Sequence, residues 1–228
     1  MSTALEKAQL KVQRLIKKAI HEHKQEVTFT PMFPFAEGPR EYQKIAFENW
    51  KQNKQVGLFA MATGTGKTIT SLNCLLEVYK KTGYYKAIIL VPTITLVNQW
   101  ENECKRFRFN NIIKVYSKRP KWKSDIESLH LQERIYGGED KVSYVVIATY
   151  ASFAKDGAFD LLNSLSSRAM LIADEAHNMG SGGIRKKLPM IRYKRRIGLS
   201  ATPDRQYDDA GNNALLKFFD AEEKYTYE

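Results

Sequence analysis

Eight consecutive residues constrain this chain more than any others: Met61-Ala62-Thr63-Gly64-Thr65-Gly66-Lys67-Thr68. They follow an apolar run, Val56-Gly57-Leu58-Phe59-Ala60, and precede a segment of helical period over 69–79. Strand, glycine loop and helix in that order make a unit suited to phosphate. Glycine lets the backbone wrap closely, so that successive N–H groups and the positive end of the helix point at anionic oxygen. Lys67 would reach the outer phosphates of a nucleotide and the Thr68 hydroxyl would ligate Mg²⁺. The strict spacing asks for glycine at position 61, where this chain has Met; Gly64 supplies the flexible position instead. A Gly-Lys-Thr tripeptide alone is weak evidence, and the flanking strand and helix give it weight.

From Val56 onward, short β-branched or apolar runs alternate with helical segments, the pattern of a parallel sheet sandwiched by helices. The strands are expected at 56–61, 86–92, 111–116, 143–149, 169–174 and 195–200, and the helices at 67–81, 95–107, 150–154, 158–166 and near 185–191. The interval 117–142 breaks the rhythm with mixed charges around Gly137-Gly138 and reads as a surface excursion, helical over 122–135. Ahead of the sheet, Tyr42, Ile45, Ala46 and Trp50 are expected on one face of a helix that starts after Gly38-Pro39. The Pro- and Phe-rich stretch 29–35 reads as an extended linker tacked onto the core. Residues 3–26 carry an apolar stripe at helical spacing that needs a partner: the domain that follows or a part of a longer protein, ahead of a dimer seam. The expected division is 1–36 for this helix and linker and 37–228 for one α/β domain.

Lys and Arg number 36 against 25 Asp and Glu, a formal charge of +11, which favours polyanionic partners, nucleic acid before a membrane surface. No apolar run approaches the ~20 residues needed to span a bilayer, and the first residues form no apolar signal core, so a cytoplasmic protein is expected. Cys74 and Cys104, the two cysteines, fall on expected helices without partners at metal-ligand spacing and read as reduced core residues.

A second chemical element is Met170-Leu171-Ile172-Ala173-Asp174-Glu175-Ala176-His177, an apolar strand that ends abruptly in two carboxylates. At the carboxyl edge of a sheet, beside a phosphate loop, the first carboxylate would anchor Mg²⁺, partly through water, and the second would polarise the attacking water. A third strand, Arg196-Ile197-Gly198-Leu199-Ser200, ends in the small residues Ser200-Ala201-Thr202. The basic run from Arg185 to Arg196 contains no acid and reads equally as a phosphate-contacting stripe or as a solvated flank.

In this order and spacing, from about Arg40 to Phe219, the segments resemble the superfamily 2 helicases and translocases. Arg40-x-Tyr42-Gln43 is similar to the adenine-recognition motif, residues 61–68 to motif I, residues 91–100 to motif Ia, Asp174-Glu175-Ala176-His177 to the DEAH box and Ser200-Ala201-Thr202 to motif III. The tail through Phe219 looks most like the subgroup of XPB-type and type III restriction motor subunits. The resemblance implies a RecA-like P-loop NTPase lobe that uses ATP and Mg²⁺. In that reading Arg40 and Gln43 select adenine; Thr63, Gly64, Thr65, Gly66, Lys67 and Thr68 bind phosphate; Thr68 and Asp174 hold the metal; and Glu175, Asp174 and Lys67 serve catalysis. His177, Ser200 and Thr202 would couple nucleotide state to the nucleic-acid face, where Pro92, Thr93, Gln99, Thr149 and Tyr150 contact one strand's backbone without reading bases.

The resemblance also implies a partner: a second RecA-like lobe supplying an arginine finger, for which the residues after Thr202 leave no room. The expectation is the first lobe of a longer motor, acting on DNA in preference to RNA, with slow or no hydrolysis by itself. Two readings of other classes stand beside it: a self-contained nucleotide-dependent nucleic-acid-binding module without helicase activity, and a basic nucleic-acid-binding protein with a vestigial ATP site.

Overall fold

The computed structural model describes residues 30–62, 64–135, 142–201 and 209–221. The helix expected over 3–26, the turn at Gly137-Gly138, and Thr63 and Thr202 lie outside the described residues.

Six strands form one sheet: β1 (Val56–Ala60), β2 (Lys86–Val91), β3 (Ile112–Val115), β4 (Tyr144–Thr149), β5 (Met170–Asp174) and β6 (Arg195–Ser200). Their spatial order is β1-β6-β5-β2-β4-β3, and every neighbouring pair is parallel. The central strands β2 and β4 are buried along their whole length, which explains why they read as unbroken apolar runs and not as alternating ones. Because all strands point the same way, the residues after Ala60, Val91, Thr149, Asp174 and Ser200 emerge on one edge.

Successive side chains of a strand face opposite sides, and the two cores follow that rule. Ala87, Ile89, Val91, Val145, Ile147, Met170, Ile172, Ile197 and Leu199 meet Trp50, Leu72, Leu75, Val97, Trp100 and Cys104, carried by α1 (Glu41–Gln52), α2 (Lys67–Thr82) and α3 (Ile94–Arg106). Ile88, Leu90, Val146, Ala148, Leu171 and Ala173 face the other side, with α4 (Trp122–Ile135), α5 (Tyr150–Phe153) and α6 (Asp156–Asn163). Truncating a fully buried strand residue such as Ile89 to Ala would cost about 2–5 kcal/mol. On the second side the chain closes with α7 (Gly182–Arg185) and α8 (Asp209–Phe218). Phe219, just past α8, packs so tightly on β6 that a Cβ at Gly198 would lie 3.0 Å from its ring and 2.6 Å from Leu58 Cδ1.

Several expectations are corrected. Ile45 is turned out and 43% exposed; the inward face of α1 is Gln43, Ala46 and Trp50, with the Trp50 indole donating to Arg196 O at 3.0 Å. The single helix expected near 185–191 is split into α7 and a 3-10 turn at Leu188–Met190, where Pro189 cannot continue a hydrogen-bonded ladder. The excursion over 117–142 is no loose appendage along α4, whose Trp122, Ile126 and Leu129 are buried in the second core. The linker is tacked down as expected, with Met32 N–H donating to Phe107 O at 3.0 Å and Phe33 edge-on to Phe107.

Candidate functional site

The glycine loop starts from a fixed point: Met61 N–H donates to Ser200 O at 3.0 Å, tying its first residue to the end of β6. Gly64 and Gly66 have φ of +84° and +88°, the left-handed region in which an L side chain is strained, so the chain turns on glycine at both places. Thr65 closes the turn onto Ala62, its hydroxyl donating to Ala62 O at 2.7 Å. Gly66 leads directly into α2, and Lys67 and Thr68 occupy its first turn, half-buried. The start of α1 leans on the same loop. Tyr42 Oη donates to Thr65 O at 2.6 Å, and a Cβ at Gly66 would meet Tyr42 Oη at 3.3 Å and Gln43 Nε2 at 3.5 Å. Gln43 is itself oriented, its Oε1 accepting the Arg40 N–H at 2.9 Å, while the Arg40 side chain is exposed.

Opposite the loop, β5 ends in the carboxylate pair. Asp174 is 8% exposed; its Oδ2 accepts the Trp100 indole N–H at 2.8 Å and its Oδ1 the Glu175 N–H at 3.1 Å. Burial pushes the Asp174 carboxyl above its ordinary range and the Glu175 charge adds to that, against the pull of the Trp100 hydrogen bond and Lys67. Glu175 leaves the strand at φ +49° and ψ +60°, a conformation a non-glycine residue holds at a cost of about 1–3 kcal/mol and one that concentrates at functional sites. It aims the side chain across to the loop, with Glu175 Oε1 at 3.8 Å from Lys67 Nζ. His177 Nδ1 is 3.6 Å from Glu175 Oε2.

Among the described residues Lys67 Nζ is buried and makes no hydrogen bond, and the Ser200 hydroxyl, fully buried at the end of β6, is likewise without a partner. A buried ammonium is costly unless paired and hydrogen-bonded. The Lys67 ammonium is the atom a phosphate oxygen would satisfy, so Lys67, Thr68, Asp174 and the two left-handed glycines fit a magnesium nucleotide.

The expected nucleic-acid residues separate into two groups. Thr93 and Gln99 are exposed and Pro92 half-buried where β2 runs into α3, with the Thr93 hydroxyl capping that helix through Leu96 N–H. Thr149 and Tyr150 have their side chains turned inward. The Thr149 hydroxyl caps α5 and donates to Ser152 Oγ at 3.1 Å, and the buried Tyr150 hydroxyl donates to Asp174 O at 2.8 Å. The basic run does not form one stripe. Arg195 and Arg196 lie at the start of β6, on the edge away from the loop, where Arg195 donates to Gln55 Oε1 and Arg168 O and Arg196 lies over the Phe218 ring. Lys187 pairs with Asp156 over the Phe159 ring. Trp100 and Tyr42 lie in the stretches likened to motif Ia and the adenine motif but have no role of their own in the sequence reading; their indole and phenol reach the site from the middle of α3 and the first turn of α1.

A parallel sheet whose carboxyl edge carries a left-handed glycine loop, a buried unbonded lysine and a strained carboxylate pair is a RecA-like P-loop domain. The family described as "Type III restriction enzyme, res subunit" matches residues 37–205, and the chain belongs to it. It is a superfamily 2 first lobe of the XPB and type III restriction kind. It is 29% identical over 178 residues to the DNA 3'-5' translocase XPB2 of Sulfurisphaera tokodaii, covering 77% of this chain and 33% of that protein. It is 28% identical over 170 residues to the putative DNA 3'-5' helicase Rad25 of Haloarcula marismortui, covering 75% of this chain and 23% of that protein. This chain therefore spans a third or less of these curated relatives. Among solved structures, a nuclease-deletion mutant of the Type ISP restriction-modification enzyme LlaGI in complex with a DNA substrate mimic is 26% identical, with a TM-score of 0.57 over 75% of this chain and 18% of that one. The Pyrococcus furiosus Hef helicase domain shares the fold at 18% identity, with a TM-score of 0.62 over 85% of this chain and 39% of that one.

Proposed function

We propose that this chain is the ATP-binding lobe of a DNA-dependent ATPase, a helicase or duplex translocase that couples Mg-ATP hydrolysis to movement on DNA. The observation that carries this reading is the Lys67 ammonium, buried without a hydrogen bond beside Gly64 and Gly66 and 3.8 Å from Glu175. Gly64, Thr65, Gly66 and the first turn of α2 wrap the phosphates with backbone N–H groups, and Thr63 is a phosphate-binding residue in the same reading. Lys67 would pair with the outer phosphates, and Thr68 and Asp174 would hold Mg²⁺, whose charge would offset the negative charge that develops in phosphoryl transfer. A phosphate that draws Lys67 away leaves Glu175 free to take a proton from the attacking water. Arg40 and Gln43, at the start of α1 beside Gly66, select the base. His177, Ser200 and Thr202 relay the state of the phosphates.

Pro92, Thr93 and Gln99 contact a DNA backbone at the same edge, a mode that carries no base information. DNA is preferred over RNA because of the activities named for the relatives. An arginine finger is worth about 10³ to 10⁵ in turnover, so the lobe by itself hydrolyses ATP slowly and a second RecA-like lobe of a longer chain completes the site. Among the described residues no helix is long and apolar enough to cross a membrane.

The test is ATP turnover with and without single- and double-stranded DNA, for this chain, for the full-length product of its gene and for Lys67→Ala in both. DNA-stimulated turnover confined to the longer protein and abolished by Lys67→Ala is expected. Stimulated turnover by the 228-residue chain alone would overturn the need for a second lobe, and nucleotide binding unaffected by Lys67→Ala would overturn the site itself.

A further inference from the structure

The alternation of side chains along β5 sends Met170 and Ile172 to the face covered by α1, α2 and α3, and Leu171 and Ala173 to the other. Asp174, two residues after Ile172, continues onto the α3 face. There it meets Trp100, 2% exposed in the interior of α3. A buried indole N–H needs an acceptor, and the one Trp100 has is Asp174 Oδ2 at 2.8 Å. The second carboxylate oxygen is set by the Glu175 N–H at 3.1 Å, so the carboxyl plane is fixed at both ends. From the opposite face of the sheet the buried Tyr150 hydroxyl holds the Asp174 carbonyl at 2.8 Å. That carbonyl belongs to the peptide leading into Glu175, whose left-handed backbone is held on its far side by Asn178, with its N–H and Nδ2 on Glu175 O at 3.0 and 2.8 Å.

The two side chains that grip Asp174 come from the elements that follow β2 and β4. α3 begins just after Pro92 and Thr93, and Tyr150 directly follows Thr149. We propose that Trp100 and Tyr150 are positioning residues: Trp100 fixes the orientation in which the Asp174 carboxylate meets magnesium, and Tyr150 fixes the peptide that presents Glu175. Through them α3 and the start of α5 are tied to the carboxylate that would hold the metal, without either side chain touching substrate. The proposal rests on the ATPase reading above. Outer partners of metal ligands orient them, and losing such a partner typically weakens metal affinity about 10- to 100-fold. A merely structural tryptophan would instead weaken every property of the lobe together.

The test uses the 228-residue chain and its Trp100→Phe and Tyr150→Phe variants, which keep a ring in place and remove the donor. Affinity for a fluorescent ADP analogue is measured in EDTA and across a magnesium titration, with thermal unfolding as a check on folding. The expected result is that Trp100→Phe binds metal-free ADP as the parent does but needs about tenfold more magnesium for the tight complex, and that Tyr150→Phe shifts the magnesium requirement in the same direction by less. The indole N–H resonance of Trp100, identified by its loss in Trp100→Phe, is expected to move in Asp174→Ala without nucleotide, and in the parent with Mg-ADP but not with ADP in EDTA. An unchanged magnesium requirement in Trp100→Phe, or a parallel loss of metal-free ADP binding in a folded variant, would overturn the positioning role alone. Absence of nucleotide binding by the parent would overturn the ATPase reading, and the positioning role with it.

Discussion

The ammonium groups of two lysines are buried at opposite ends of this sheet, and their surroundings differ in the way that separates a structural charge from a waiting one. Lys86, at the start of β2, has Glu133 Oε1 at 2.7 Å and the rings of Tyr84 and Tyr144 each at 5.6 Å from its ammonium. Lys67, beyond the end of β1, has no hydrogen bond among the described residues, and the carboxylate oxygen it faces is 3.8 Å away on Glu175. Both ammonium groups have left water, at a cost of several kcal/mol each. At Lys86 the protein itself supplies the compensation, through a helix that the sequence presents as a polar excursion. At Lys67 the compensation is withheld, and a polyanion can supply it. Burial alone therefore does not mark a functional lysine; burial without a partner does.

The comparison is broken most severely by removing the Lys86 partner. Glu133→Ala leaves an uncompensated charge in the core and is expected to lower the unfolding free energy by about 3–5 kcal/mol in urea melts. Nucleotide affinity of the protein that remains folded should be unchanged. At the other lysine the signs reverse. Lys67→Met is expected to lose on the order of 10²- to 10³-fold in turnover by the full-length protein, the scale on which one aligned charge-stabilising group acts. The same substitution should raise the stability of the nucleotide-free chain, because it removes a buried charge that has no hydrogen bond among the described residues and only a carboxylate at 3.8 Å. A destabilised Lys67→Met chain would erase the distinction. Replacing the structural pair by apolar residues together, Lys86→Met with Glu133→Leu, is expected to leave stability within about 1 kcal/mol of the parent or above it. A loss as large as that of Glu133→Ala alone would mean that the pair contributes more than mutual neutralisation.

How much of this was legible before the fold is known follows the same division. The six strands read out of the sequence because parallel strands buried on both faces must be apolar without interruption, and the glycine loop and the Asp174-Glu175 pair read out because each sits at a strand end. Periodicity did not reveal which way a helix is rolled. It put Ile45 on the inner face of α1, where the chain has Gln43, and left Lys86 as an ordinary polar strand start. Nor did it show that Trp100, one apolar residue among several on α3, is aimed at a carboxylate 74 positions away. Tyr150 follows a strand end, the place where a contact to nucleic acid is expected, yet its hydroxyl is taken by Asp174 O. Local pattern carries strand positions and loop chemistry; pairings across the sheet depend on the strand order, which local pattern does not encode. The basic run shows the same limit, since Arg195, Arg196 and Lys187 are adjacent in charge but tied to three separate places in the fold.

A third lysine sharpens the contrast from the mild side. Lys114 on β3 pairs with Glu101 of α3 at 2.7 Å, and Lys105 reaches the same carboxylate, but this cluster is partly open to water. Burial works to raise the Glu101 carboxyl, and the hydrogen bonds from Lys105 and Lys114 outweigh it, so its folded-state value lies below the ordinary 4.5. A depressed carboxylate contributes stability that is present above the unfolded value and is lost as pH falls through the folded one. The stabilisation from this pair should be constant near neutrality and fade only below about pH 4.5. Its size is bounded by what solvent-screened pairs supply, about 1 kcal/mol or less. Comparing Glu101→Gln with the parent in urea melts at pH 7 and pH 3.5 checks this: a small deficit at the higher pH that narrows at the lower is expected. A deficit that persists unchanged at low pH would show that Glu101 acts through packing and not through its charge, and that among these lysines only Lys86 has a partner whose ionisation the fold depends on.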